Sequence, residues 1–157
     1  MFYYDTKKAI TTNASAGTLS THFRWLTVAN QALARFMAIS GAARFGTAGG
    51  AILRLIIAGT AGTGGTAQTP IPRYNRYPAA EITAFDDTSA ITAGATPVTR
   101  ASIGVAQTGG HGAEVPLEFD MAITLSANGG ANGNAELASI ANAASVLIDA
   151  TVAHREG

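Results

Sequence analysis

Residues 115–125 alternate without interruption: Val115, Leu117, Phe119, Met121, Ile123 and Leu125 against Pro116, Glu118, Asp120, Ala122 and Thr124. A side-chain period of two is that of a β-strand with one dry and one wet face. Pro116 cannot donate to a ladder and puts the start of this strand near a sheet edge. Val146, Ile148, Ala150 and Val152 repeat the pattern near the end of the chain. After Gly49-Gly50, Leu53, Leu55 and Ile57 fall on one side and Ile52, Arg54 and Ile56 on the other. Both sides are partly apolar, as in a strand covered on both faces. Ile82–Phe85 and Val98–Ala106 are further short strands.

Turn chemistry separates these runs. Gly109-Gly110-His111-Gly112, Asn128-Gly129 and Asn132-Gly133 are turn sequences, because Gly and Asn tolerate the backbone conformations tight turns need. Short strands with Gly-rich punctuation point to a sandwich or barrel. Neither a β-α-β alternation nor a fixed-period repeat is visible. Gly59–Thr66 followed by Pro70 and Pro72 reads as a long loop.

Three segments read two ways. In Thr21–Ser40, one helical face would carry Trp25, Val28, Ala29, Ala32, Leu33, Phe36 and Met37. A strand would place Leu33, Met37 and Ile39 on one side and Phe36 on the other. Glu136–Ala144 fits a short helix through Leu137, Ile140, Ala141 and Ala144, or a strand lead-in. Residues 1–20, with Lys7 and Lys8, read as an extended N-terminal arm or a solvated tail. His154–Gly157 reads as a polar tail.

Composition narrows the function classes. A chain of 157 residues accommodates one domain, here an N-terminal arm over 1–20 and a sandwich over 21–157. Cysteine is absent, which removes disulfides, thiolate metal sites and cysteine nucleophiles. Ten basic residues balance ten acidic ones, so the basic excess of a nucleic-acid binder is missing. Charged residues are only 13% of the chain, about half the usual share. A surface so weakly charged is poorly protected against association, which fits one that meets other protein. Ala, Gly and Thr together make up about 45% and Leu, Ile, Val and Phe about 21%. Such a core is lean, so the subunit is expected to gain stability from assembly. No run reaches the apolar length of a membrane-spanning helix. Met1–Ile10 lacks the order of a signal peptide. The chain is therefore expected to be soluble and made in the cytoplasm.

Motifs for chemistry fail one after another. The Gly59–Thr66 run is followed by Ala67-Gln68 where a phosphate-binding loop needs Lys-Ser/Thr, and no lysine follows Lys8. His22, His111 and His154 lack metal-ligand spacing. Asp86-Asp87 before Thr88-Ser89 lacks the remaining positions of a calcium loop and reads as a solvated turn or a cap. Glu118 and Asp120 share the wet face of one strand, where a polar surface is the default. No Gly-x-Ser-x-Gly elbow occurs. The expectation is no catalytic residue, no metal and no cofactor.

Arg73-Tyr74-Asn75-Arg76-Tyr77, bracketed by Pro72 and Pro78, is the densest group of interaction-capable residues. Tyr and Arg dominate interface hot spots because they combine contact area with polar reach. Flanking prolines reduce the entropy lost on binding. Stacking on single-stranded nucleic acid is the rival, and zero net charge favours protein. Packing of the tyrosines back onto the sandwich is equally compatible.

Leu53-Arg54-Leu55-Ile56-Ile57, the Gly59-to-Thr66 run, Thr69-Pro70-Ile71-Pro72 and Pro78-Ala79-Ala80 resemble a loose group of small phage structural proteins of jelly-roll type. The resemblance covers residues 33–85 and, more faintly, the closing strand. Arg73–Tyr77 departs from it, since the group usually carries small acidic and proline residues there. The resemblance implies a mostly β, jelly-roll-like antiparallel sandwich with at most one or two short helices, and it tips Thr21–Ser40 toward strands. It implies a non-enzymatic virion protein that decorates or cements a capsid. The expected partners are the major capsid protein or other virion proteins and further copies of the chain in a closed oligomer, a trimer being favoured because closed symmetry is the usual solution for soluble assemblies; charge and hydropathy point away from nucleic acid and membrane. Arg73, Tyr74, Arg76, Tyr77, Lys7 and Lys8 are the expected protein-interface residues. A tail, neck or fibre-base component is the second reading. A carbohydrate-binding sandwich stacking sugars on Trp25, or on Tyr74 and Tyr77, is the third.

Overall fold

The computed structural model describes residues 1–26, 34–43, 49–106, 113–116, 124–125, 134–142 and 145–156. The described elements are all strands: β1 (Phe2–Thr11), β2 (Ser20–Leu26), β3 (Ala34–Ala43), β4 (Gly50–Thr60), β5 (Thr63–Gln68), β6 (Ile71–Pro72), β7 (Thr83–Thr92), β8 (Ala95–Ala106), β9 (Ala113–Pro116), β10 (Thr124–Leu125), β11 (Asn134–Ala141) and β12 (Leu147–Glu156). They form two antiparallel sheets packed face to face. The first runs β10-β3-β12-β1-β6, with β9 also on β3; the second runs β5-β7-β2-β11-β4-β8.

The pairings follow one rule. β1 joins β12, β2 joins β11, β3 joins β9 and β10, and β4 joins β8. The chain is thus a two-stranded ribbon zipped inward from its ends. Successive rungs of that ribbon fall in alternate sheets. β12·β3 and β11·β4 close neighbouring turns of the roll. This is the winding of a jelly-roll sandwich. β5, β6 and β7 are an insertion between β4 and β8 that widens both sheets.

The inward residues alternate along each strand. Leu53 and Leu55 of β4, Phe23 and Trp25 of β2, Leu137 of β11, Phe36 and Ile39 of β3, and Ile148 and Val152 of β12 share one buried cluster. Trp25 Nε1 donates to Thr6 Oγ1 at 3.0 Å, so the largest buried side chain is also satisfied as a donor across the sheets. A β-carbon on Gly41 would lie 2.8 Å from Leu53 Cδ1 and 2.9 Å from Val105 Cγ2. The sheets approach closely at that point because the residue has no side chain.

Several expectations are corrected. Residues 2–11 are not an arm: β1 pairs with β12 over its whole length and buries Tyr4, Thr6 and Ile10. Two polar residues at inward positions, Thr6 and Lys8, hid that alternation. His154 and Glu156 are not a tail but the buried end of β12. Glu136–Ala141 is strand, not helix, because β2 and β4 take up its backbone on both sides. Gly59–Thr66 is the end of β4 and the start of β5 rather than a long loop. A β-carbon on Gly64 would sit 2.3 Å from the carbonyl oxygen of Ala90, and φ there is +78°. The glycines therefore let β5 lie against β7. In β3, Phe36 and Ile39 both face the core, because Met37 is the extra residue of a bulge opposite Ala153 and His154. The strand readings of residues 52–57 and 98–106 hold, and that of 82–85 holds from Thr83, where β7 begins. The alternation at 115–125 falls on β9 and β10 at its two ends; residues 117–123, with Glu118 and Asp120, lie outside the described residues. So do Val28, Ala29, Ala32, Leu33, His111, Ala144 and the Asn-Gly turns.

Candidate functional site

The Arg73–Tyr77 turn sits at one end of the sandwich, beside the start of β1 and the end of β12. Arg73 N donates to the Tyr3 carbonyl at 3.0 Å and Tyr77 N to that of Tyr74 at 3.0 Å. Arg73 holds Asp5 Oδ1 through Nε and Nη2, at 3.0 and 2.8 Å. Tyr4 Oη donates to the Pro78 carbonyl at 3.0 Å. The amides of Glu81 and Ile82 donate to the two oxygens of Glu156, at 2.7 and 3.2 Å. A buried carboxylate thus ties down the segment after the turn. Burial alone would push the Glu156 carboxyl up; the hydrogen bonds from His154 and from those two amides outweigh it and hold it down. With Glu156 ionised, His154 Nε2 is the donor in their 3.2 Å contact. Burial, with Glu156 and Glu81 nearby, pushes the Tyr4 phenol up.

Aromatic contacts run from the core to this turn. Phe23 touches Trp25, Trp25 packs edge-on against Phe36, and Phe36 meets His154. His154 stacks on Tyr4 with centroids 5.4 Å apart, and Tyr4 leads to Tyr77. Tyr77 then contacts Phe2 at 5.1 Å and Tyr74 at 5.2 Å, both edge-on. Tyr77 is half-buried and supports Tyr74, which is 64% exposed. Met1, Phe2 and Ile71 are also exposed. Arg73 to Tyr77 line an open cleft of about 690 Å³. The result is a rigid aromatic and cationic projection whose base belongs to the core.

A second polar cluster joins the sheets. Lys8 Nζ reaches Asp87 Oδ1 at 2.6 Å, Thr88 Oγ1 at 2.9 Å and Asp86 Oδ1 at 3.1 Å. His22 is the extra residue of a bulge in β2, opposite Leu137 and Ala138. That bulge turns its ring inward. His22 Nδ1 lies 2.6 Å from Asp87 Oδ2 and Nε2 lies 2.7 Å from Ser139 Oγ. Burial would raise the Asp87 carboxyl, but His22 and Lys8 hold it low; burial would lower the Lys8 ammonium, but the two aspartates hold it high. Nδ1 therefore carries the proton toward an ionised carboxylate.

Ser139, His22 and Asp87 repeat the hydrogen-bond order of an acyl-transfer triad. Ser139 is fully buried, however, on a central strand laddered on both sides. A nucleophile must be exposed where an acyl group can reach it. The chemistry open to this trio is that of a satisfied buried network, holding β1, β2, β7 and β11 in register.

A third cluster lies on the other face of the second sheet. Gly94 N donates to Glu136 Oε1 at 2.8 Å. Arg24 donates through Nε to the Gly64 carbonyl at 2.6 Å and stacks its guanidinium 3.8 Å from the Phe85 ring centroid. Burial pushes the Glu136 carboxyl up, against the amides of Gly94 and Gly62 and the charge of Arg24.

Of the residues expected at an interface, Arg73, Tyr74, Arg76 and Tyr77 share the turn. Lys7 is exposed, on the outer face of β1. Lys8 points inward, and its ammonium is committed to β7. Asp86 and Asp87, read as a solvated turn, hold that ammonium within β7. Trp25 is fully buried and offers no platform to a sugar. Sequence reading missed His22, Ser139, Glu136 and Glu156. His22 and Ser139 are 117 residues apart, and no local pattern marks such a pair.

No protein-family model, curated protein or solved structure matches the chain.

Proposed function

We propose that this chain is a non-enzymatic structural protein of a virion, decorating or cementing a capsid lattice. The observation that carries the assembly role is the Arg73–Tyr77 projection, with Tyr74 64% exposed on an aromatic column rooted in the core. Little entropy is lost when so rigid an aromatic and cationic surface docks. Low charge and a lean core favour a molecule that works in contact with others. The virion setting rests on the resemblance of residues 33–85 and on analogy with jelly-roll capsid proteins, a fold that also serves other functions.

Tyr74 and Tyr77 favour carbohydrate stacking as the second reading, since sugar-binding proteins use the same class of fold. Electron cryo-microscopy of intact particles from the native source separates these cases. Density for the chain over the capsid lattice supports the proposal. Density in the tail or neck moves it to another virion position, and absence from particles overturns it in favour of a glycan-binding screen.

A further inference from the structure

The outer face of the second sheet is covered at one end and open at the other. Along β4, Ile52, Arg54, Ile56 and Ala58 alternate with the core residues Leu53 and Leu55 and so point outward. Ile56 and Ala58 are nevertheless buried, because the β4–β5 and β7–β8 connections lie over them. A β-carbon on Gly94 would stand 2.5 Å from that of Ala58, and one on Gly62 would stand 2.5 Å from Glu136 Oε1. Ile52 lies beyond this cover and is 41% exposed. The open end is a groove of about 600 Å³ whose lining includes Gly17, Ile52, Arg54, Gly104, Ile140 and Asn142. The ladder register sets Gly104, Ile52 and Ile140 side by side on β8, β4 and β11. A β-carbon on Gly104 or on Gly17 would meet nothing within 4 Å, so both leave open space. The polar groups stand at the two ends. Arg54, at the edge of the cover, is half-buried, and its guanidinium has no hydrogen-bond or ion-pair partner among the described residues. Asn142 Oδ1 accepts from Gly50 N at 2.8 Å, which leaves its Nδ2 as a donor.

We infer that this groove takes the extended, aliphatic C-terminal tail of a partner protein, its terminal carboxylate on Arg54 and its chain running back along β4 toward Asn142. The inference rests on the assembly reading above only in taking the occupant to be a protein. A mostly apolar cleft of this volume with a few convergent polar groups has the make-up of a binding site. An unpaired guanidinium calls for an anion and holds a carboxylate in a fork. The carboxylate on the neighbouring strand, Glu136, lies under the cover, bonded to Gly94 N and set against the charge of Arg24. The cover also fixes where the guest ends. A chain following β4 from Gly50 meets the Gly62 and Gly94 connections just past Arg54, so its carboxylate is a terminal one. Gly50 and Arg54 are four residues apart on one strand, about 14 Å, which an extended tail of about four residues spans. The Asn142 amide then meets a main-chain carbonyl, a group that needs a donor when covered. Among the described residues no aromatic ring lines the groove, so a sugar finds no stacking platform there, and a single guanidinium is little for a phosphate backbone.

The test is fluorescence anisotropy of the intact chain with an N-terminally labelled Gly-Ser-Ile-Thr-Val peptide bearing a free C-terminal carboxylate. The same peptide amidated at its C-terminus and the fatty acid decanoate serve as rival probes. Saturable binding of the free acid is expected, about tenfold or more tighter than that of the amide. Arg54→Gln is expected to fold as the parent does, since its guanidinium has no partner to lose, and to bring acid and amide to the same affinity. Gly104→Val puts a side chain into open space on a strand. It is expected to melt no lower than the parent and to weaken both peptides. If Arg54→Gln fails to fold, Gly104→Val carries the test. No saturable binding, equal affinity of the parent for acid and amide, acid binding unchanged in either folded variant, or tighter binding of decanoate than of the peptide overturns the inference. Chain present on particles with no peptide binding refutes this inference alone; peptide binding with chain absent from particles refutes the virion reading alone.

Discussion

Lys8 Nζ lies 2.6 Å from Asp87 Oδ1, and that contact crosses from one sheet of the sandwich to the other. Lys8 is an inward-facing position of β1, two residues beyond Thr6, whose hydroxyl accepts the Trp25 indole proton. The first strand is therefore stitched to the second sheet by neutral hydrogen bonds, from Trp25 to Thr6 and from Gln68 to the Lys7 carbonyl, and by the charged contacts of Lys8.

Replacing Lys8 with Met keeps the stem and removes the charge. Asp86 and Asp87 are then left side by side at a partly shielded site. Both partners keep about a quarter of their exposure, so solvent screens the pair and the loss is expected at about 1–2 kcal/mol. Urea denaturation checks this; an unchanged midpoint would show that the clasp contributes nothing.

The carboxyls give opposite pH signatures. Asp86 and Asp87 are held below their ordinary range, by Thr88 and Lys8 and by His22 and Lys8 respectively, against burial. Their contribution is present above the unfolded carboxyl pKa, about 3.9, and is lost as pH falls through the lowered folded values. Glu136 is raised by burial. Its contribution is complete below the unfolded value, about 4.3, and is lost as pH rises through the raised one. Melting temperature followed from pH 7 down to about pH 3 should fall less steeply in Asp87→Asn than in the parent. Glu136→Gln should flatten the opposing trend just above the Glu range. Parallel curves for parent and variants would contradict the assignments.

Ser139→Ala separates a structural network from a catalytic one. Removing the hydroxyl leaves His22 Nε2 buried without its partner, at a cost of about 1–3 kcal/mol. Turnover of p-nitrophenyl acetate by the parent is expected at the background rate of the variant. A serine-dependent rate in the parent would make the trio catalytic.

Tyr74→Ala should behave in the reverse way. The ring is mostly exposed and touches Tyr77 at its edge, so stability is expected to stay within about 0.5 kcal/mol of the parent. Occupancy on the particle should drop, because the projecting contact is gone. A large fall in melting temperature with full occupancy would assign Tyr74 to the fold.

Strand positions could be read where one face of a strand stays apolar for several residues. Leu53, Leu55 and Ile57 behave so, and β4 takes the phase their alternation implies. β1 could not be read, because its inward positions include Thr6 and Lys8, polar residues whose partners, Trp25 and the Asp86–Thr88 stretch, are distant in the chain. The same applies to β12, whose last inward residues are His154 and Glu156.

The exposed Arg73–Tyr77 turn was legible from its prolines and composition. Its anchoring through Tyr4, His154 and Glu156 was not.

By itself, the amino-acid order determined a cysteine-free, weakly charged β-protein with a rigid aromatic turn. Alternation, proline placement and charge are local or summed properties, and they survive in one dimension. Tertiary structure alone decided which polar residues are buried and which of them meet across the sheets, as Lys8 meets Asp87 and His22 meets Ser139. Burial and cross-strand adjacency depend on register between segments up to 154 residues apart, such as Phe2 and Glu156, and that register is set when the ribbon rolls up and both sheets close on one core.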